Sequence, residues 1–135
     1  MQKFLNFSDL RVDNRQPILI FNNREVKKIS PRYDMENVYN AIRQGNYQVY
    51  SHVWTDIKHD FGWGVKNLEK FFLSLKPKHF DKQMERKRPP RNDYSGEIPV
   101  ILDVYKSDDI MGEKIYSHFY FDGNELIIDS IHEQD

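Results

Sequence analysis

Lys114 to His132 reads KIYSHFYFDGNELIIDSIH, and its pattern is the clearest indication of the fold class of the 135-residue chain. Two runs rich in β-branched and aromatic residues, 114–121 and 125–132, lie on either side of Asp122-Gly123, a dipeptide typical of tight hairpin turns. A third run of the same kind covers Ile98 to Tyr105. The carboxy-terminal third is therefore predicted to form an antiparallel meander of three strands.

The region before this meander carries apolar residues at helical spacing. The spacing predicts three helices, one at about 34 to 44, one marked by Val53, Ile57 and Phe61, and one from about 65 to 75 that ends before a proline. Helices that precede an antiparallel meander are typical of α+β domains.

Shorter segments complete the predicted order of elements. Residues 47–50 and 79–84 are predicted to be extended, and residues 86–96 are predicted to form a basic, proline-containing loop. Near the amino terminus, two apolar runs around Asn22-Asn23 predict a β-hairpin, because asparagine tolerates the positive φ of a tight turn.

Together these segments predict one α+β domain that covers residues 1–135. About three helices are expected to pack on one face of an antiparallel sheet in residues 34–135. Residues 1–33 are expected to form an added amino-terminal hairpin.

The charge is unevenly distributed along the chain. Residues 76–91 contain seven Lys or Arg and two acids, a local charge of +5, whereas the whole chain carries −1, so the remainder carries −6. A basic segment on an otherwise acidic protein is typical of a surface that contacts a polyanion.

Composition excludes several classes of site. The chain has no cysteine, which rules out disulfides, thiolate metal sites and cysteine nucleophiles. No apolar run approaches 18 residues and the first residues have no signal-peptide pattern, so we expect a soluble, cytoplasmic protein without a membrane interaction.

Several strings, taken in order and spacing, resemble the MqsR family of toxins from bacterial toxin-antitoxin pairs, which belongs to the RelE-like group of small RNA-cleaving folds. The similarity begins at about Val38 and continues to the end of the chain. The strings that carry it are Ile42-Arg43-Gln44-Gly45, Leu73-Ser74-Leu75, Phe80-Asp81-Lys82-Gln83-Met84, Asp103-Val104-Tyr105-Lys106, Gly112-Glu113-Lys114-Ile115-Tyr116 and Leu126-Ile127-Ile128-Asp129-Ser130.

The resemblance implies a metal-independent endoribonuclease, an mRNA interferase without a cofactor, whose partners are single-stranded RNA and a cognate antitoxin protein. It places the family's catalytic lysine at Lys82 and its tyrosine at Tyr116, to within one position. Two positions depart from the family: its glutamine falls on Leu102, and its carboxy-terminal lysine falls on His132.

Metal-free RNA cleavage needs a base for the 2′-hydroxyl, a cation for the phosphorane and an acid for the departing 5′-oxygen. We assign Lys82 as the cation and His132 as the general acid, because histidine gives and takes protons near neutral pH. Tyr116 and His118 have the same strand parity, so their side chains are expected to share a face, and His118 is a further catalytic candidate. The residues expected to hold RNA phosphates are Lys78, Arg86, Lys87, Arg88 and Arg91.

Alternatives remain open at this stage. Each candidate side chain also has an ordinary interpretation, as a solvated lysine or a packed aromatic residue, and the changed residues Leu102 and His132 are compatible with a non-catalytic module of the same fold. Such a module would bind RNA or a protein, as an antitoxin-like or phage-encoded inhibitor does. Histidine and aspartate residues between His52 and Asp60 fall at helical spacing but match no metal-ligand motif, so no metal site is expected.

Overall fold

The computed structural model describes residues 30–88 and 97–134. The hairpin predicted around Asn22-Asn23 and most of the predicted basic loop, residues 89–96, lie outside the described residues. The helices are α1 (Met35–Arg43), α2 (Ser51–Phe61) and α3 (Val65–Ser74), the last followed by a 3-10 turn at Pro77–His79, and the strands are β1 (Tyr47–Val49), β2 (Phe80–Arg88), β3 (Ile98–Ile110), β4 (Glu113–Asp122) and β5 (Glu125–Glu133).

The three helices predicted from apolar spacing are confirmed, and local chemistry explains where they begin and end. The side chain of Asp34 caps α1 by accepting a hydrogen bond from the backbone N–H of Glu36 at 3.0 Å. Gly62 ends α2 with a φ of 68°, a left-handed conformation that favours glycine. None of the described helices is long and apolar enough to cross a membrane.

The sheet has five strands in the order β1-β5-β4-β3-β2. The four long strands are antiparallel, and Gly123 takes a φ of 63° in the predicted turn between β4 and β5. The expectation of a wholly antiparallel sheet is wrong for β1, which pairs in parallel with β5, for example Tyr47 beside Leu126. No hairpin joins these two strands, and only strands connected by a hairpin must be antiparallel.

Strand β2 is longer than the sequence indicated. The predicted loop was expected to begin at Arg86, and this is wrong for Arg86, Lys87 and Arg88, which continue the antiparallel pairing with β3 as far as Ile98. The basic composition misled the prediction, because an edge strand can carry many charged side chains when they point into solvent.

One face of the sheet packs against the helices and forms the main hydrophobic core. The Phe72 ring from α3 meets Phe119 of β4 edge-on at 5.9 Å, and Phe119 stacks on Tyr105 of β3 at 5.5 Å. The fully buried members of this core include Val38, Val53, Ile57, Leu68, Phe71, Phe72, Tyr105, Ile115, Phe119, Leu126, Ile128 and Ile131. This helix-covered core confirms the α+β class.

The other face of the sheet carries a different set of side chains. Strand alternation and the pairing register direct four basic residues to it, and we call it the cationic face. Its residues include Lys82, Met84, Arg86 and Arg88 from β2, Leu102, Val104 and Lys106 from β3, Tyr116, His118 and Tyr120 from β4, and Ile127, Ser130 and His132 from β5, together with Asp129, whose carboxylate contacts His118.

Candidate active site

Three of the four predicted catalytic residues meet on the cationic face. The Tyr116 ring stacks on the His132 ring, with centroids 4.7 Å apart and planes 19° from parallel. On its other side, the Tyr116 hydroxyl lies 3.4 Å from Nδ1 of His118, whose ring meets the Tyr116 ring edge-on. The shared strand parity of Tyr116 and His118, noted in the sequence, is the reason that the two side chains are neighbours.

His118 is almost completely buried, and the carboxylate of Asp129 lies against it. Its Nε2 lies 3.0 Å from Oδ2 of Asp129, and the exposed fractions of the two side chains are 5% and 2%. Burial lowers the pKa of His118 to about 4, although the Asp129 carboxylate acts in the opposite direction. The imidazole of His118 is therefore neutral at physiological pH.

Asp129 is itself held by Arg88. The Nε and Nη2 atoms of Arg88 donate to the two carboxylate oxygens of Asp129 at 2.8 and 2.6 Å, which is a bidentate pair. Both oxygens of the Asp129 carboxylate therefore accept hydrogen bonds from the Arg88 guanidinium, and Oδ2 also faces the His118 imidazole. Arg88, His118 and Asp129 thus form a continuous polar network across β2, β4 and β5.

Two β-bulges shape this site. The pairing of β4 with β5 passes from His118 beside Ser130 to Phe119 beside Ile128, so Asp129 is an extra residue in β5. A similar shift in β2 makes Asp81 an extra residue, and its carboxylate lies 3.8 Å from Nζ of Lys106. Both bulges direct an aspartate toward the cationic face.

His132 has one nitrogen that is available for proton transfer. Its Nδ1 lies 2.8 Å from the backbone carbonyl oxygen of Glu133. A carbonyl oxygen only accepts hydrogen bonds, so Nδ1 carries a proton and Nε2 is the atom that can gain or lose one. The stacked Tyr116 ring fixes the plane of the imidazole.

Lys82 lies on the same face but does not touch this group. It pairs with Val104 of β3, which in turn pairs with His118, so the Lys82 and His118 backbones are two strand spacings, or about 10 Å, apart. The backbone of Lys82 belongs to the β2–β3 ladder, and its side chain has no ion pair or hydrogen bond with another residue of the described part of the chain. A ligand that lies across β2 to β4 would pass close to this lysine.

Tyr116 is the half-buried residue at the centre of the site. Burial raises its pKa, and the carboxylates of Asp81 and Asp129 act in the same direction, whereas the Arg86 guanidinium acts against them. The phenol is therefore protonated at neutral pH and cannot act as a base unless another group receives its proton.

The five predicted phosphate-binding residues do not form one cluster. Arg86 is exposed on the cationic face, whereas Lys87 is exposed on the opposite side of β2, and the Lys78 ammonium lies 3.1 Å from the Asp109 carboxylate. Arg88 is paired with Asp129 as described, and Arg91 lies outside the described residues.

Leu102, where the resemblance predicts a glutamine, is fully buried on the cationic face beside Met84. It packs with Tyr120 and Ile127 in a small apolar cluster, and the Tyr120 hydroxyl is 2.9 Å from that of Tyr50. The site therefore has an apolar floor where the resemblance would place a polar side chain.

Sequence reasoning missed two residues of this site. Asp129 was only part of a matching string, yet an acid inside the run Leu-Ile-Ile-Asp-Ser-Ile breaks the apolar pattern and is the signal that could have identified it. Lys106 lies opposite Tyr116 in the register and adds a cation to the face, but no sequence feature separated it from other lysines.

Neither a family model nor a curated protein matches this sequence. No cluster of three or more His, Asp or Glu side chains able to hold a metal ion occurs within residues 30–88 and 97–134.

Proposed function

We propose that this protein is a toxin-like endoribonuclease that cleaves single-stranded RNA without a metal ion. The main support is the Tyr116 side chain, whose ring stacks on the His132 imidazole and whose hydroxyl lies 3.4 Å from Nδ1 of His118, on a face with several cations. Phenol and imidazole groups supply the acid and base chemistry that phosphodiester transfer requires.

The reaction is attack of the 2′-oxygen on the adjacent phosphorus, with departure of the 5′-oxygen. It leaves a 2′,3′-cyclic phosphate on one fragment and a 5′-hydroxyl on the other. His132 protonates the departing oxygen through Nε2, and Lys82 and Arg86 stabilise the extra negative charge on the phosphorane. Lys106 lies opposite Tyr116 and is a further contact for the RNA backbone.

The same proposal includes the biological setting. A nuclease of this kind arrests growth, so its host needs a cognate antitoxin protein that blocks the cationic face, and we propose an acidic segment as the blocking element. The resemblance to MqsR-like toxins in strings such as Asp103-Val104-Tyr105-Lys106 supports this setting.

The test is cleavage of a labelled single-stranded RNA of mixed sequence by the purified full chain in excess EDTA. We expect cleavage by the wild type, and losses of at least about a hundredfold in Lys82→Ala, Tyr116→Phe and His132→Ala, because each removes a group that acts in the transition state.

The matched controls are Lys66→Ala and His52→Ala, which remove an exposed lysine and an exposed histidine from the helices and should cleave at the wild-type rate. Wild-type rates in all three site variants would refute the residue assignment. A wild type that leaves RNA intact would refute the nuclease.

A second candidate is a non-catalytic RNA-binding or protein-binding module of the same fold. The buried Leu102 favours it, because this position carries no polar group for the substrate. Induction in growing cells separates the two functions: an active ribonuclease stalls growth, and a binding module is tolerated. RNA binding by the module would still weaken steeply with salt, because it releases counterions from phosphates.

A further inference from the structure

The hydrogen bonds around His118 determine which of its nitrogens carries the proton. Asp129 is held by the Arg88 guanidinium, and a carboxylate in that pair only accepts hydrogen bonds. The His118 nitrogen at 3.0 Å from Asp129 is Nε2, so Nε2 carries the hydrogen. This is the arrangement in which an acid fixes the tautomer of a histidine.

The remaining nitrogen then faces Tyr116 as an acceptor. Because the buried imidazole is neutral, Nδ1 of His118 has a free lone pair, and the Tyr116 hydroxyl at 3.4 Å is the donor that faces it. Hydrogen bonds between catalytic groups are commonly long before the substrate binds. The Tyr116 proton thus points inward, and the lone pairs of its oxygen point toward the surface of the sheet.

We propose that Asp129 and His118 orient Tyr116 as the general base of the nuclease, with Arg88 holding Asp129 in place. This inference deepens the function proposed above and depends on it. Tyr116 is the residue that touches the RNA, and the other three are positioning residues that act through it.

The proton transfers balance in this scheme. The 2′-hydroxyl gives its proton to the Tyr116 oxygen while the Tyr116 proton moves to Nδ1 of His118. At the same time the bond from O2′ to phosphorus forms, the bond from phosphorus to O5′ breaks, and O5′ receives a proton from His132. His118 ends as an imidazolium beside the Asp129 carboxylate, which stabilises the new charge.

The surroundings of His118 are compatible with this temporary charge. Arg86 and Arg88 of β2 disfavour an imidazolium at His118 in the resting state and so keep Nδ1 unprotonated. The Asp129 carboxylate favours the imidazolium. The packed residue from β3 is Val104, which carries no charge. Among the described residues, the charged and titratable groups that face His118 are Asp129 and His132 from β5, Arg86 and Arg88 from β2, and Tyr116 from its own strand.

Asp129→Asn is the variant that tests the tautomer, because an asparagine has the same shape but a nitrogen that donates. The change removes the carboxylate that would stabilise the imidazolium, and an amide nitrogen turned toward His118 would donate to Nε2, move the proton to Nδ1 and leave Tyr116 without its acceptor. We expect kcat for labelled single-stranded RNA to fall at least about a hundredfold with KM unchanged, as in enzymes whose histidine takes the wrong tautomer.

Two further measurements distinguish orientation from a purely structural role. Nitrogen-15 NMR of the wild type at neutral pH should find the His118 proton on Nε2, independently of any variant. The double variant Tyr116→Phe with Asp129→Asn should be no slower than Tyr116→Phe alone, because the acid acts only through the tyrosine. Asp56→Asn, which removes an exposed carboxylate of α2, is the charge-matched control and should cleave normally.

Each outcome has a definite meaning. A lowered kcat in Asp129→Asn with an Nε2 proton in the wild type supports the inference. Wild-type cleavage by Asp129→Asn, or a His118 proton on Nδ1 in the wild type, overturns the inference and leaves the nuclease standing. A wild type without cleavage in EDTA overturns the nuclease and the inference with it.

Discussion

Within residues 30–88 and 97–134, two aspartates are buried, one on each face of the sheet, and their partners differ in kind. Asp103 lies on the helix-covered side and accepts hydrogen bonds from the backbone N–H groups of Arg32 and Tyr33 at 2.8 and 2.9 Å. Asp129 lies on the cationic face, where its partners are the side chains of Arg88 and His118.

This difference separates a structural carboxylate from one that is suited to chemistry. Backbone donors at Asp103 fix the entry of the chain into α1 and cannot titrate. The histidine partner of Asp129 can accept a proton. In the proposed mechanism, Asp129 fixes the tautomer of this histidine and thereby orients the Tyr116 hydroxyl. A buried acid is therefore informative about function only when its partners are known.

Breaking the Asp129 network should have the largest effect on stability. Arg88→Ala leaves a buried carboxylate without its cation, and we expect a loss of about 4 kcal/mol in the free energy of unfolding. Urea denaturation measures it, and Arg86→Ala, which removes an exposed arginine from the same strand, should cost less than about 1 kcal/mol. Equal losses in the two variants would show that Asp129 does not need Arg88.

The buried titratable groups on the two faces should also change the stability of the fold with pH in opposite directions. Burial raises the pKa of Asp103 to about 7, so between pH 4 and 7 the folded state retains a proton that the unfolded chain releases, and stability falls as pH rises. The lowered pKa of His118, about 4, has the opposite sign: the unfolded chain binds the extra proton, and stability rises with pH up to about 6.5.

Asp103→Asn isolates the His118 contribution. In the wild type, the contributions of Asp103 and His118 to the free energy of unfolding oppose each other in this pH range. In the variant only the His118 contribution remains, so its free energy of unfolding should increase by about 3 kcal/mol from pH 4 to 6.5. Urea denaturation at a series of pH values measures the slope. If the variant and the wild type have parallel profiles, the Asp103 carboxyl does not titrate in this range.

A smaller effect on stability is expected at Tyr33, whose backbone N–H donates to Asp103. The Tyr33 hydroxyl donates to the backbone carbonyl of Ile101 at 2.7 Å, and Tyr33→Phe removes this bond while retaining the ring contact with Phe121. We expect a loss of about 1 kcal/mol and unchanged RNA cleavage, measured by denaturation and by the EDTA assay. A large loss of cleavage would place the helix-covered side within the active site.

The smallest expected effect concerns RNA affinity. Lys82→Gln removes one cation from the cationic face, so the magnitude of the slope of log affinity against log salt should decrease by about 0.7 for single-stranded RNA. Fluorescence anisotropy at several salt concentrations measures the slope, and Lys66→Gln on α3 is the matched control. An unchanged slope for Lys82→Gln would mean that no phosphate lies near this lysine.

Much of the fold could be predicted because it depends on local patterns. Apolar spacing identified α1, α2 and α3, and the Asp122-Gly123 turn identified the β4–β5 hairpin. The parallel pairing of β1 and the continuation of β2 through Arg88 were not predicted, since both depend on which distant strand supplies the hydrogen bonds.

The candidate site was predictable in part for the same reason. Strand parity placed Tyr116 and His118 on one face, whereas Asp129 reaches that face only through a bulge whose position depends on the pairing of β4 with β5. Arg88 was predicted to bind phosphate, and that prediction is still untested. Its ion pair with Asp129 leaves fewer of its donors available for an anion.

Local sequence patterns were enough to predict the helices, the carboxy-terminal meander, the concentration of basic residues before β3 and the side-chain types available for chemistry. These depend on neighbours within a few positions along the chain. The network of Arg88, His118 and Asp129 that ends at Tyr116 could be seen only in the folded arrangement of the strands. The network joins residues of three different strands. Its contacts form only when the strands pair in this register, with the bulge at Asp129.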